Sequence, residues 1–338
     1  MEQHKDEKIL LAHGSGGKLS HDLVEKGFLP SFDNPLLSKL DDSAVFEVRG
    51  RLAFTTDSYT VTPIFFPGGD IGRLAVCGTV NDLAMSGADP LYLSASFIIE
   101  EGFSLRDLDM VVQSMRVALD EAGVSIVTGD TKVVNRGSAD RLFINTAGVG
   151  VVPDGVSISG SNARAGDKVI LSGPVGEHGI AIMSEREGLR FDTPVKSDCA
   201  PLNRLVSEML QESHEIRCLR DPTRGGLATT LNEFAAQSDM GIIVHEDAIP
   251  VSDAVRAACE MLGFDPLHVA NEGKLVAVVA PDDVERIVQR MRQNRYAAKA
   301  VVIGEVTTEH RGRVIMRTRL GASRILDMLV GELLPRIC

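Results

Sequence analysis

The chain has 338 residues, 44% of them apolar, only 4% aromatic and none Trp, so it can bury aliphatic cores in about two domains. A formal net charge of −12 argues against general nucleic-acid binding, which needs a basic face, and against docking on anionic membranes. No apolar run approaches the roughly 18 residues of a membrane span. The N-terminus has no signal-like apolar core, and five Cys with no Cys-x-x-Cys pair do not make a disulfide framework. The expectation is a soluble cytoplasmic protein.

Residues 1–40 read as irregular and Gly-rich, with little periodicity. Ala44–Val48 and Leu52–Thr55 alternate like strands around Arg49-Gly50, a hairpin turn. Pro63, Pro67, Gly68 and Gly69 mark a loop. Residues 71–86 read as a helix with Leu74, Cys77, Val80 (or Asn81) and Ala84 on one face and Gly87 as its stop. Leu91–Ile98 is an apolar strand. Ser104 to Glu121 is the clearest helix: Ser104 and Asp107 resemble a capping box, and Leu108, Val111, Val112, Met115 and Leu119 form its stripe. Val124–Thr128 and Leu142–Val152 follow as strands.

Pro153 to Asp167, rich in Gly, Ser and Pro, reads as a domain boundary. Lys168–Leu171 is then a strand, and helices are expected at about 177–187, 203–212 and 225–238. Lys274–Ala280, a helix to about 293 and Ala300–Glu305 repeat a strand-helix-strand pattern. From Arg311 the chain turns basic and ends Leu-Leu-Pro-Arg-Ile-Cys. The expected division is a Gly-rich segment at 1–40, a first αβ domain at 41–155, a second αβ domain at 156–310 and a tail at 311–338.

Several segments carry chemistry. His13-Gly14-Ser15-Gly16-Gly17-Lys18 has the glycines and the cation of a phosphate loop, yet it fits neither G-x-x-x-x-G-K-[ST] nor G-x-G-x-x-G. Asp41, Asp42, Asp57, Asp82 and Asp130 stand at element ends, where acids from separate loops can share Mg²⁺ with phosphate oxygens; any one of them is more often a turn former or cap. Asn81-Asp82 is unusual inside an otherwise apolar helix. Thr128-Gly129-Asp130-Thr131-Lys132 follows an apolar strand, a common ligand position in α/β folds. Asp221-Pro222-Thr223-Arg224-Gly225-Gly226 precedes a helix and suits an anion. Glu272, in Asn271-Glu272-Gly273-Lys274, can serve as a base. Cys77, Cys199, Cys218 and Cys259 read as core residues, whereas Cys338, at the mobile end of the sequence, is a thiol suited to act as a nucleophile.

LDDSAV, TTDS, VNDLAMSGADP, TGDTKVV, RDPTRGGLA and ANEGK occur in that order between residues 40 and 274. Together they resemble the ATP-binding superfamily of aminoimidazole ribonucleotide synthetase, selenophosphate synthetase and thiamin phosphate kinase. Within it, HGSGGK near the start and PRIC at the end resemble the HypE family of hydrogenase maturation factors, a likeness that covers essentially the whole chain. Residues 1–20 contain no Cys, which counts against a selenophosphate synthetase.

The resemblance implies an α/β (α+β) fold class, with two αβ domains of the synthetase type and a flexible tail. It implies a homodimer through the first domain and ATP with Mg²⁺ near the dimer interface. Carried over by motif, Lys18, Asp41, Asp42, Asp57, Asn81, Asp82, Thr128, Gly129, Asp130 and Arg224 would touch the nucleotide, and Asp42, Asp57, Asp82 and Asp130 the metal. Lys132 and Glu272 would stand near the reacting group. Cys338 would receive a carbamoyl group from the carbamoyltransferase HypF, carry it through dehydration to a thiocyanate and pass cyanide to iron on a HypC–HypD complex, for a NiFe-hydrogenase.

Overall fold

A computed structural model describes residues 7–189, 195–328 and 337. The segment expected to be irregular is partly helical. Helix α1 (Lys18–Leu23) runs through a π-helical turn, Val24–Phe28, into α2 (Leu29–Phe32), with Pro30 in the first turn, where its missing N–H costs nothing. Leu23, Phe28 and Phe32 are buried, and the Phe28 ring lies 4.7 Å from that of Phe97. Gly27 and Pro30 interrupt the periodicity that would have announced these short helices.

The first sheet is built from β1 (Arg51–Tyr59), β4 (Asp89–Glu100), β5 (Ser125–Val134) and β6 (Leu142–Val152), in the order β1-β6-β4-β5. A two-stranded ribbon, β2 (Phe65–Phe66) and β3 (Gly69–Asp70), leads into helix α3 (Ile71–Met85). The expected hairpin around Arg49-Gly50 does not form. Residues 44–48 take no regular structure, Phe46 rests against the Tyr92 ring at 4.6 Å, and β1 pairs along its whole length with β6. Local alternation showed a strand pattern but could not show which partner sits beside it.

Strands β4 and β5 are parallel and joined by helix α4 (Leu105–Ala122). Ser104 caps α4 by accepting from the Asp107 N–H, and the expected apolar stripe is buried. Asp70 caps α3 by accepting from the Gly72 and Arg73 N–H groups at 2.7 and 3.1 Å. Nearly every residue of α3 is buried, because it packs on the sheet, on α4 and on the second domain. One face of the sheet is thus covered. On the other, Leu52, Phe54 and Ile98 are 56%, 74% and 42% exposed.

The second domain holds β7 (Lys168–Leu171), α5 (Glu177–Arg186), α6 (Asn203–Glu212), β8 (Ile216–Arg220), α7 (Gly226–Ser238), β9 (Gly241–His245), α8 (Asp253–Leu262), β10 (Val276–Val279), α9 (Val284–Gln293), β11 (Val301–Thr307), β12 (Val314–Arg317) and β13 (Ser323–Ile325). Its seven strands run β13-β12-β9-β11-β7-β10-β8. Val276–Val279 is buried throughout: one core forms with α6 and α9, a second with α7 on the opposite face.

The segment expected to leave the body as a tail at Arg311 instead begins inside it. β12 pairs in parallel with β9, Val314, Ile315 and Met316 are buried, and Arg313 and Arg317 on either side of them are exposed. The basic count concealed a short apolar run. Cys338, the expected carrier, lies outside the described residues, but Ile337 before it is buried in the core shared by the two domains. No helix among the described residues is long and apolar enough to cross a membrane.

Candidate active site

Two sites emerge, on opposite sides of the first sheet. The first is a cleft of about 370 Å³ at the sheet's β5 edge, walled by His13, Gly14, Asp41, Thr128, Gly129, Asp130 and Lys132. The walls are close because two glycines allow it. A Cβ on Gly14 would meet the Val133 nitrogen at 2.6 Å, and one on Gly129 would meet the Ala95 carbonyl at 2.4 Å. Lys132 Nζ lies 3.2 Å from an Asp130 carboxylate oxygen, but both side chains are more than half exposed, so the pair holds little energy and is easily opened by a ligand. Lys18 and Asp42 are exposed and lie outside this lining.

The second is the seam between the domains, where α3, β1 and the loop at Asn271–Lys274 meet. That loop is pinned at every residue. Asn271 accepts from the Gly176 N–H at 2.7 Å and donates to the Pro222 and Val269 carbonyls. The Glu272 N–H donates to Asp198 Oδ1 at 3.1 Å. A Cβ on Gly273 would overlap the Asp198 carbonyl. Lys274, buried, pairs with Asp198 at 3.0 Å and Glu177 at 3.3 Å.

Glu272 itself is 2% exposed, and its Oε1 has no hydrogen-bond partner. Burial, then the neighbouring charges of Asp221, Asp198 and Asp57, hold its carboxyl well above the usual carboxylate range. Burial and the Asp82 charge raise Asp221 to about 7. Asp82, accepting from Thr55 Oγ1 at 2.8 Å, is also raised, chiefly by burial. Burial that raises a carboxyl's affinity for a proton suits it to take one from a substrate.

The structure therefore sorts the expected residues. Asp57 and Asp82 come together with Glu272 at the seam. Thr128, Gly129, Asp130, Lys132 and Asp41 gather at the cleft. The strand pairing sets Asp57 on the helix-covered face of the sheet, whereas Asp130 and Lys132 share the open face with Ser96 and Ile98. Asp42, Asp57, Asp82 and Asp130 consequently do not form one metal cluster within a single chain, and among the described residues no group of three or more His, Cys, Asp or Glu does.

Asn81 has another task than the nucleotide contact expected of it. Its Nδ2 donates to the Ala200 and Glu272 carbonyls at 3.1 and 3.3 Å, and its Oδ1 accepts from the Leu202 N–H at 2.7 Å. All its polar capacity goes into joining α3 to the second domain. Arg224 is exposed in the turn before α7, where Gly226 is needed for close packing on the Leu267 and Val269 carbonyls.

Three seam residues escaped the sequence reading as site residues. Asp221 was legible only as the first residue of an Asp-Pro turn. Asp198 lies in a stretch without periodicity. His178, wholly buried on α5, is a lone His in an apolar run.

The two folded units have counterparts. Residues 40–152 match the AIR synthase related protein, N-terminal domain, and residues 164–317 match its C-terminal domain. Carbamoyl dehydratase HypE of Bradyrhizobium diazoefficiens is 56% identical over 97% of this chain and 95% of its own length. The Escherichia coli protein of the same name is 46% identical over 98% of this chain and 99% of its own. A crystal structure of HypE in complex with ATP superposes with a TM-score of 0.95 at 51% identity, covering 97% of this chain and 99% of that one. A HypE–HypF complex matches with a TM-score of 0.81 at 50% identity, over 91% and 99%. The chain belongs to the HypE family of AIR synthase related proteins. A thiamine-monophosphate kinase from Stenotrophomonas maltophilia shares the fold, with a TM-score of 0.64 at 20% identity over 84% of this chain and 90% of that one.

Proposed function

We propose that this chain dehydrates a carbamoyl group carried on its own Cys338 to a thiocyanate at the cost of ATP, supplying cyanide for the iron of a NiFe-hydrogenase. The observation that carries this reading is the company Glu272 keeps. Its backbone N–H is held by Asp198, while the preceding residue, Ser197, holds His178, whose ring contacts the Ile337 carbonyl. The residue before Cys338 is thus tied to the same short segment as the buried, unpartnered acid. The chain end and the acid are held by neighbouring residues of one segment, which supports a carrier that works at the seam.

The chemistry balances on these parts. The carboxamide oxygen of S–C(=O)NH₂ attacks the γ-phosphorus of ATP, and ADP leaves. The oxygen then departs as phosphate, the two N–H protons are lost, and S–C≡N remains. Glu272 in its ionised form accepts one of those protons, its raised proton affinity making it the stronger base, and Asp221 beside it offers a second site. Lys132, on the open face where a second copy would dock, acts on a group held at the other copy's seam, steadying the developing negative charge or orienting the carboxamide.

The donor set at the seam fits a hard cation. Asp57 and Asp82 offer closely spaced carboxylate oxygens, too few for a closed cage but suited to a Mg²⁺ that completes its shell with water and phosphate oxygens. When bound, Mg²⁺ would neutralise charge on the transferred phosphoryl.

A homodimer through the open face of the first sheet accounts for the exposure of Leu52, Phe54 and Ile98. Asp130 and Lys132 stand on that face, so a second copy docked there lies beside them, and nucleotide bound in the cleft sits near the interface. The partners in this reading are the carbamoyltransferase HypF, in keeping with the HypE–HypF complex, and a HypC–HypD complex that receives the cyanide. A cytoplasmic setting agrees with the free thiols of Cys77, Cys199, Cys218 and Cys259.

Intact-mass spectrometry of the carbamoylated protein tests the proposal. Addition of MgATP should remove the mass of one water, and Cys338→Ala should never take up the carbamoyl group. If ATP is bound but never cleaved by the carbamoylated protein, the chain is a nucleotide-binding scaffold instead.

A further inference from the structure

Among the buried titratable groups, His178 is one that the dehydration chemistry does not use. It sits on α5, fully buried, with the Phe66 ring edge-on at 5.6 Å. Both ring nitrogens are engaged: Nδ1 lies 2.8 Å from Ser197 Oγ, and Nε2 lies 2.6 Å from the Ile337 carbonyl oxygen. A carbonyl can only accept, so Nε2 must carry a proton. Burial lowers the imidazole's pKa, so the ring is neutral and Nδ1 is an acceptor. Ser197 Oγ supplies that hydrogen bond while itself accepting from the Cys199 N–H at 3.1 Å. The three groups form a directed chain, from the Cys199 N–H through the Ser197 hydroxyl and the His178 ring to the Ile337 carbonyl, with one tautomer enforced throughout.

The base of this chain is fixed to the first domain. The Ser197 N–H donates to the Pro67 carbonyl at 2.7 Å, and a Cβ on Gly68 would meet the Ser197 carbonyl at 2.7 Å, so the two backbones touch. Phe66 comes from the same ribbon. The imidazole is held where both domains and the Asp198–Glu272 contact converge, and its remaining donor is spent on one carbonyl of the chain end.

We infer that His178 is a positioning residue: its Nε2–H, oriented through Ser197, anchors the Ile337 carbonyl and thereby fixes the distance at which Cys338 is presented to Glu272. The substrate part of this inference rests on the dehydratase reading; the anchor itself rests on the hydrogen bonds alone. A single backbone hydrogen bond suits a carrier that must dock and leave, because it recognises position without recognising the group carried. Its target is a backbone carbonyl one residue before the carrier, so the anchor does not discriminate among free, carbamoylated and thiocyanate forms.

The test uses the full-length dimer with three variants. His178→Phe keeps the ring's shape and removes the donor; His178→Gln restores an amide donor; Ser197→Ala leaves the ring but frees its tautomer. Iodoacetamide labelling of Cys338, followed by mass spectrometry of its peptide, reads docking, with the four buried Cys as internal controls. Single-turnover water loss from the carbamoylated protein reads presentation.

For His178→Phe we expect labelling of Cys338 about 10-fold faster and dehydration about 10-fold slower, the size of effect one buried hydrogen bond supports. ATP affinity and loading by HypF should be unchanged, and His178→Gln should recover most of both losses. Ser197→Ala should move both readouts the same way by a smaller factor, and it decides the matter if His178→Phe does not fold. Parent-like labelling and dehydration in His178→Phe, or no recovery in His178→Gln, would overturn the inference. If the parent protein itself loses no water, the dehydratase reading fails, while the labelling experiment still decides the anchor.

Discussion

The cleft at the β5 edge and the seam between the domains use similar residue types under opposite conditions. In the cleft, Asp130 and Lys132 are exposed and weakly paired, and glycine-thinned walls leave backbone groups open to a visitor. At the seam, Glu272 and Asp221 are dry, crowded by other acids and displaced towards the protonated form. A site that must admit and release a charged nucleotide keeps its charges in water, where exchange is cheap. A site that must move protons in a controlled order removes its acids from water and lets burial set their affinity for protons. Ile337, docked beside the seam, links the second arrangement to the chain's own end.

The sharpest way to break this contrast is at the carrier. Cys338→Ala should abolish uptake of the carbamoyl group completely, as read by intact mass, with both sites still folded. Next, Glu272→Gln keeps the side chain's shape and removes its proton affinity. It should slow water loss by roughly 100- to 10,000-fold, the range for a general base, while MgATP affinity measured by calorimetry stays near the parent value. Lys132→Ala should do the reverse in part: weaker nucleotide binding and about 10- to 100-fold slower phosphoryl transfer, with no change in the protonation behaviour of the seam. Parent-like activity in Glu272→Gln would place the proton chemistry elsewhere.

Two smaller effects concern stability. Asn81→Ala strips three hydrogen bonds from the seam and leaves the buried Leu202 N–H and the Glu272 carbonyl without their side-chain partner. A loss of about 2–4 kcal/mol in denaturant unfolding is expected. For Asp221 the sign follows from its raised pKa. The folded protein holds this proton more tightly than the unfolded chain does, so the stability it contributes is full below the ordinary value of 3.8 and is lost as pH rises through about 7. Asp221→Asn, measured without metal or nucleotide, should flatten the fall in stability between those limits.

Much of this contrast was legible in the sequence, though unevenly. Ser104 and the stripe from Leu108 to Leu119 announced α4, because capping and helical spacing are local signals. The acid-bearing motifs named residues but could not show their grouping: Asp57 and Asp130 fall on opposite faces of one sheet, a matter of strand pairing across about ninety residues that no local pattern carries. The supposed hairpin at Arg49-Gly50 failed for the same reason. Asn81 was noticed as out of place in an apolar helix, rightly, yet the cause was a partner loop some two hundred residues away. The basic run after Arg311 hid strand β12, whose three buried apolar residues are bracketed by arginines. His178 gave no sign at all, since a single His in an apolar helix is ambiguous until the group it faces is known.

The central claim is that the carboxamide oxygen is removed as phosphate. It is tested most directly by carbamoylating the protein with a heavy-oxygen-labelled carbamoyl donor and adding unlabelled MgATP. The account predicts one labelled oxygen in the phosphate released, matched mole for mole by thiocyanate on Cys338. Unlabelled phosphate, with the heavy oxygen found in water, would contradict it.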